Sequence, residues 1–183
     1  MWSCILHLKV IITRIAICGA SNAGKTTLVK RLAQKHPSWT VIPEVASEFD
    51  RSSRNTPHIQ RMILERQIAR EQSATGDTIL LDRCVLDNIV YCWQVCHTIA
   101  FDDCLCLINK HMRTRPYDLV VFVNEIFPLV DNGLRDMDPV AQRQTFSLMS
   151  AMIPAMCNAY STPLIRVAGH TNERIRAIES YLR

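Results

Sequence analysis

An α/β fold, built as a five-stranded parallel sheet flanked by helices, is what this sequence predicts, and three observations carry that expectation. Apolar, β-rich runs recur at 14–18, 39–42, 78–82, 119–123 and 164–167. Each is followed by a stretch with helical spacing or by a polar loop, the alternation that a parallel sheet wrapped by helices requires. Directly after the first run, Gly19-Ala20-Ser21-Asn22-Ala23-Gly24-Lys25-Thr26 fits G-x-x-x-x-G-K-[ST] without a mismatch. That pattern joins a buried strand to a helix around an anion.

The elements follow in chain order. The first strand needs only about five residues, so 1–12 are read either as an added edge strand or as an N-terminal extension. A helix is expected over 24–35, with Leu28, Leu32 and Ala33 on one face and Lys30, Arg31 and Lys35 outward, and His36-Pro37 ends it. The next, 57–73, opens on a proline, favourable in a first turn, and carries Ile59, Met62, Ile63 and Ala69 as an apolar stripe. Two more helices are expected at 85–99 and 102–112. A longer one at 138–160 contains Pro154, which should kink it or end it early. Thr171 is read as the cap of the closing helix, with Arg174, Arg176 and Glu179 exposed and Ile175, Ile178 and Leu182 packed. Neither half has the composition of a linker, so 1–183 reads as a single domain.

Composition narrows the function classes. Hydrophobic residues make up 48% and charged ones 21%, ordinary for a globular chain, and a formal charge of +4 is too small to require a nucleic-acid partner. The apolar stretch 1–12 is interrupted by His7 and Lys9, is too short to span a bilayer, and lacks the small-residue site of a cleaved leader. A cytoplasmic protein without a membrane partner is therefore expected, its thiols kept reduced. Cys92, Cys96, Cys104 and Cys106, with His97 and His111 nearby, do not match the paired C-x2-C spacing of zinc knuckles. They are read as small buried hydrophobes.

The chemistry begins at the glycine-rich loop. Gly19 and Gly24 allow turns barred to other residues, so that successive N–H groups and the following helix N-terminus surround a phosphate. Gly19, Ser21, Asn22, Ala23, Gly24, Lys25, Thr26 and Thr27 are the candidate residues for binding a nucleotide, ATP, with Lys25 reaching the β- and γ-phosphates. Thr26 would ligate Mg²⁺, with Asp82 as the second candidate for holding the metal. In an open α/β sheet ligands sit beyond the carboxyl ends of the strands. Glu44 follows the second strand and Asp82-Arg83 closes the third. A carboxylate at either place suits the orientation of a hydroxyl nucleophile, and Arg83 suits neutralisation of the transferring group.

These residues carry a family resemblance. Gly19 to Thr27, Pro43-Glu44-Val45-Ala46-Ser47-Glu48-Phe49, Gln67 with Glu71, Leu81-Asp82-Arg83-Cys84-Val85-Leu86-Asp87 with Tyr91, Tyr117-Asp118-Leu119-Val120 and 128–136 occur in an order that resembles a small P-loop kinase of the nucleoside and nucleotide kinase group. The pattern is most similar to the ribosylnicotinamide kinase domain of the bacterial NAD-biosynthesis regulator and to the AAA-type domains related to it. The resemblance implies the P-loop NTPase fold with a lid at 125–137. It also implies transfer of the γ-phosphoryl of ATP to a hydroxyl of a nucleoside-like small molecule, nicotinamide riboside among the candidates. Lys25, Glu44, Asp82, Arg83 and the lid residue Arg135 are then the catalytic set, and Glu48, Gln67, Asp87 and Tyr91 the acceptor pocket. Cys84 stands where the family motif has serine.

Arg135 and Arg143 read as phosphate clamps, Arg113 and Arg115 as solvated. Within enzymes the alternative is a deoxynucleoside or nucleoside-monophosphate kinase, for which Arg51, Arg54 and Arg61 would supply the extra cationic groups. From another class, an ATP- or GTP-binding switch module would bind nucleotide with little turnover, although no N-K-x-D guanine signature is present. Oligomeric state, a homodimer included, is left open.

Overall fold

In the computed structural model, residues 13–96, 98–128 and 138–182 are described, the side chains of Arg51 and Thr98 excepted. The extension expected at 1–12, and 129–137 of the expected lid with Arg135, lie outside them. Five strands, β1 (Thr13–Cys18), β2 (Thr40–Ile42), β3 (Thr78–Asp82), β4 (Leu119–Val123) and β5 (Leu164–Val167), form one parallel sheet in the order β2-β3-β1-β4-β5. Covered on both faces, such strands read as unbroken apolar runs, and that is why Leu119 to Val123 is buried at every position.

Alternation along β1 divides the core. Ile15 and Ile17 pack with Leu28, Leu32, Ile175 and Ile178 of α1 (Lys25–Lys35) and α6 (Thr171–Tyr181). Ala16 and Cys18 face the other layer, made by α2 (Pro57–Ser73), α3 (Val85–Val95), α4 (Thr98–Thr114) and α5 (Pro139–Ala159). Two short 3-10 turns, Val45–Glu48 and Arg51–Ser53, lie between β2 and α2.

Several expectations are corrected. Helix α2 does not bury Met62 or Ala69, which are exposed; its inner face is Gln60, Ile63, Leu64, Gln67 and Glu71. A polar stripe faces inward because it meets a buried polar network. Glu71 accepts hydrogen bonds from Arg14 of β1, His111 of α4 (2.9 Å), Tyr117 (2.9 Å) and Gln67 (2.9 Å). Arg115 is not merely solvated either, since it donates to the Glu71 carbonyl at 3.1 Å.

Pro154 does not end α5. It lacks the N–H that would bond the Ser150 carbonyl, and Arg166 of β5 donates to that oxygen instead. The cap of α6 is His170, whose N–H bonds Glu173, with Thr171 one position inside the helix. Arg174 is 3% exposed rather than solvated, while Leu182 is exposed. Helix α3 stops at Val95, not at 99, and α4 starts at Thr98.

The Glu71 network ties β1, α2, α4 and the start of β4 through one carboxylate. Removing one partner from such a buried pair leaves an uncompensated charge at a cost of about 3–5 kcal/mol. Glu71→Ala is therefore expected to lower the free energy of unfolding by that amount in urea titration, and Glu71→Gln by less.

Candidate functional site

Strand register assembles the site. In the β1–β3 ladder Ile17 pairs with Asp82, so the last residue of β3 lies beside the strand end from which the glycine-rich loop departs. In the β2–β3 ladder Ile42 pairs with Leu81, and two residues beyond each partner stand Glu44 and Arg83. These two side chains meet, Arg83 Nε donating to Glu44 Oε1 at 2.6 Å.

The loop from Gly19 to Thr26 is shaped by backbone conformations that its glycines make cheap. Gly24 has φ +83°, and Gly19 has φ +143° with the Val123 carbonyl 3.1 Å from where a Cβ would stand. Gly19 N–H bonds Asp87 Oδ1 at 3.1 Å, and Asp87 Oδ2 accepts from Cys84 N–H at 3.0 Å. Asp87, fully buried, thus joins the loop to the start of α3; its carboxylate holds backbone, and it forms the floor of the cleft. Cys84, at the position of the family serine, makes the reciprocal cap of α3 with Asp87.

Lys25 is 5% exposed and its Nζ donates to the Ala20 carbonyl at 2.7 Å. Burial pulls its pKa down to about 8, Arg83 adds to the fall, and Asp87, Glu44 and Asp82 oppose it. For Arg83 burial works against the charge, yet Glu44, Tyr91, Asp87 and Asp82 together raise its pKa well above the ordinary value. Its Nη1 donates to Tyr91 Oη at 3.0 Å, and the guanidinium lies 5.3 Å from that ring's centroid. Arg83 also has φ +75°, a strained backbone for a side-chain-bearing residue, and its N–H is fixed to the Ile17 carbonyl at 3.1 Å.

The two remaining carboxylates differ. Arg83 above all, with Lys25 adding, holds Glu44 below the usual carboxylate range against the effect of burial. Asp82 is pushed up by burial, although a hydrogen bond from Thr26 and the charge of Lys25 resist this. Asp82 Oδ1 is buried without a hydrogen-bond partner. An orphaned carboxylate oxygen beside a threonine hydroxyl fits a hard divalent cation such as Mg²⁺, and these two residues are the ones that would hold it.

Around these groups opens a cleft of about 900 Å³, within the range of small-molecule sites. Ser21, Asn22, Ala23, Gly24, Lys25 and Thr26 of the loop line it together with Glu44, Gln67, Asp82, Arg83, Asp87 and Tyr91. Thr27 is exposed in α1 and does not line it, and Glu48 is turned outward onto Arg70 and Arg66 of α2. Arg143 is exposed on a separate groove beside Trp93. Arg61 pairs with Glu65 and Asp103 outside the cleft, whereas Arg54 lines it.

Two groups escape sequence reasoning. Asn88, 6% exposed, lines the cleft from α3, with no signal beyond its place one residue after Asp87. Arg174 reaches from α6 to the loop, donating to Ala23 O (2.8 Å), Gly169 O (2.8 Å) and Glu125 Oε2 (2.8 Å), with its guanidinium 5.6 Å from the centroid of the Phe127 ring. Helical spacing assigns it outward because the loop it meets is distant in sequence.

The model of a protein family described as an AAA domain matches residues 14–174. No curated protein matches the chain in sequence. Among solved structures, NadR in complex with NR is similar with a TM-score of 0.70 at 18% identity, covering 85% of this chain and 45% of that one. NadR in complex with NAD and AMP-PNP gives 0.73 at 16%, covering 93% and 49%, so the chain spans about half the length of these NadR proteins. Deoxyadenosine kinase from M. mycoides with bound products gives 0.65 at 15%, covering 93% and 98%. The shared architecture is the P-loop NTPase fold.

The two carboxylates should leave opposite signatures in stability. Glu44 binds a proton less tightly folded than unfolded, so its contribution is present above the ordinary carboxylate pKa and lost as pH falls through the depressed value. Asp82 binds one more tightly when folded, so its ionisation destabilises as pH rises through the raised value. Denaturant titrations across pH are expected to show Glu44→Gln with a shallower acid loss than wild type. Asp82→Asn should be more stable than wild type at pH 7, with the advantage vanishing below about pH 4.

Proposed function

The chain belongs to this AAA-domain family, and from that premise, together with the cleft, we propose that it is an ATP-dependent kinase transferring the γ-phosphoryl group to a hydroxyl of a nucleoside-like small molecule. The observation that carries the reading is the single cleft in which the phosphate loop and the Arg83–Glu44 pair share one space with Gln67, Asn88 and Tyr91. An NTP-binding switch needs the first part only; an acceptor needs the second. The fold it shares with NadR and deoxyadenosine kinase supports the same class.

Each residue has a part. Ser21 to Thr26 hold the triphosphate through backbone N–H groups, the Gly19 N–H being taken by Asp87, and Lys25 leaves the Ala20 carbonyl for the β- and γ-oxygens. Thr26 and Asp82 are the residues that would hold Mg²⁺, which would supply neutralisation of the phosphate charge. Arg83 lies between donor and acceptor, fixed by Glu44 and Tyr91, where negative charge spreads in the transition state. Glu44 stays ionised beside it, and such a carboxylate is a weak base but a strong hydrogen-bond acceptor. Its part is to orient the acceptor hydroxyl for in-line attack, the positioning that phosphoryl transfer chiefly requires. Gln67 and Tyr91 form the acceptor wall.

Arg61 is tied to Glu65 and Asp103 outside the cleft, whereas Arg54 and Lys30 line it and the charge of Arg54 reaches Glu44, so a nucleoside monophosphate is the alternative acceptor.

Incubation with Mg²⁺-ATP and panels of nucleosides and nucleoside monophosphates tests the proposal by ADP release and mass spectrometry of the product. Stimulation by a nucleoside, with one phosphorylated product, is expected; stimulation by a monophosphate alone, or by neither panel, overturns it. Lys25→Ala is expected to lower kcat by about 10³-fold or more with the fold intact by circular dichroism. Glu44→Gln should lower kcat by about 10²-fold with little change in the KM for ATP, and an equal effect on both would reduce Glu44 to a structural partner of Arg83.

A further inference from the structure

Away from the cleft, the packing of α3 on α4 gathers three thiols. Cys92 and Cys96 stand one turn apart at the end of α3, and Cys104 meets them from α4. All three are buried, and their Sγ atoms lie within 4.8 Å of one another. Cys106 is exposed, and His111 belongs to the Glu71 network.

We propose that Cys92, Cys96 and Cys104 are a three-thiolate site for one thiophilic cation of the zinc class, its fourth position open to a small exogenous ligand. The sequence spacing argues against a zinc knuckle because C-x2-C is the solution used by a tight turn. A helix uses another: ligands at i and i+4 share one face, as in H-x-x-x-H metal helices, and Cys92 and Cys96 have that relation. Zn–S bonds of about 2.3 Å in tetrahedral geometry set sulfurs about 3.8 Å apart, so thiols already this close need only small side-chain shifts to enclose one ion.

Chemistry agrees with geometry. The thiolate is the metal ligand, so the three thiols release protons when a divalent ion binds. Three thiolates and few oxygens select zinc-type ions over Mg²⁺ or Ca²⁺. Bound metal would fasten the end of α3, one residue beyond Tyr91, to α4.

The test uses the reduced, metal-free full chain titrated with Co²⁺ and then Zn²⁺. One equivalent of Co²⁺ is expected to give thiolate-to-cobalt charge-transfer absorption with the visible bands of tetrahedral cobalt, to be displaced by Zn²⁺, and to release protons. Zn²⁺ should also raise Tm. Cys92→Ser and Cys104→Ser are expected to weaken Zn²⁺ by more than about 100-fold, beyond the cost of losing a supporting residue, and Cys106→Ser should leave it unchanged. Cys92→Ala and Cys104→Ala, which keep the apolar packing, replace any serine variant that does not fold. Absence of the charge-transfer band in wild type, or the same band in the Cys92 and Cys104 variants, overturns the proposal. So does binding that is lost with Cys106.

Discussion

Two cations kept within electrostatic reach of each other at the mouth of an anion nest are the constraint on which the rest of the structure depends. Lys25 and Arg83 are both buried, and each makes the other's charge harder to hold. Burying charge is costly unless it is paired, so Glu44, Asp82 and Asp87 converge on the same few ångströms. Their positions follow from the sheet. Parallel pairing of β1, β3 and β2 brings the three strand ends level, and the loops leaving them carry the charged residues. Under the proposed function, an incoming polyphosphate would meet cations already buried and fixed in place, the condition under which electrostatic stabilisation is strongest.

Local strain is concentrated at this place. Arg83 at φ +75° and Asn22 at φ +60° are non-glycine residues in the left-handed region, and both lie at the carboxyl edge of the sheet. Surrounding bonds hold them there. Arg83 N–H is tied to Ile17, its side chain to Glu44 and Tyr91, while Asn22 accepts from Phe127 N–H at 3.1 Å and donates to Phe127 O at 3.3 Å. Residues kept in such conformations need a neighbourhood that over-determines them. The backbone after β4 thereby becomes part of the phosphate loop's support, and Arg174 of α6 ties both to the layer formed by α1 and α6.

The second polar centre, around Glu71, serves the first. Gln67 donates to Glu71 and also to the Arg83 carbonyl at 3.4 Å, so the wall of the cleft is continuous with a buried network of Arg14, His111 and Tyr117. Tyr117 Oη in turn accepts the Val85 N–H at the start of α3. A helix whose inward face is glutamine and glutamate thus positions site residues through hydrogen bonds where apolar packing would leave them free to rotate.

Much of this was legible along the chain. The glycine-rich loop, five apolar runs and the order of charged residues after them determine a nucleotide-type site on a parallel sheet, because strand burial and phosphate-binding loops depend on residues close in sequence. The α3–α4 boundary, the uninterrupted α5 and the burial of Gln60 and Glu71 on α2 were not legible, although the resemblance turns Gln67 inward. Pro154 is tolerated because Arg166 comes from another strand, and α2 turns Gln67 and Glu71 inward because Arg14 and Tyr117 lie far away in the sequence. The same holds for Arg174, which spacing assigns to solvent, and for the three thiols that only helix packing brings together. Periodicity reports which side of an element is apolar; whether a charged or sulfur-bearing side chain finds a partner is decided by strand register and helix packing, which fix distances between residues that no local pattern connects.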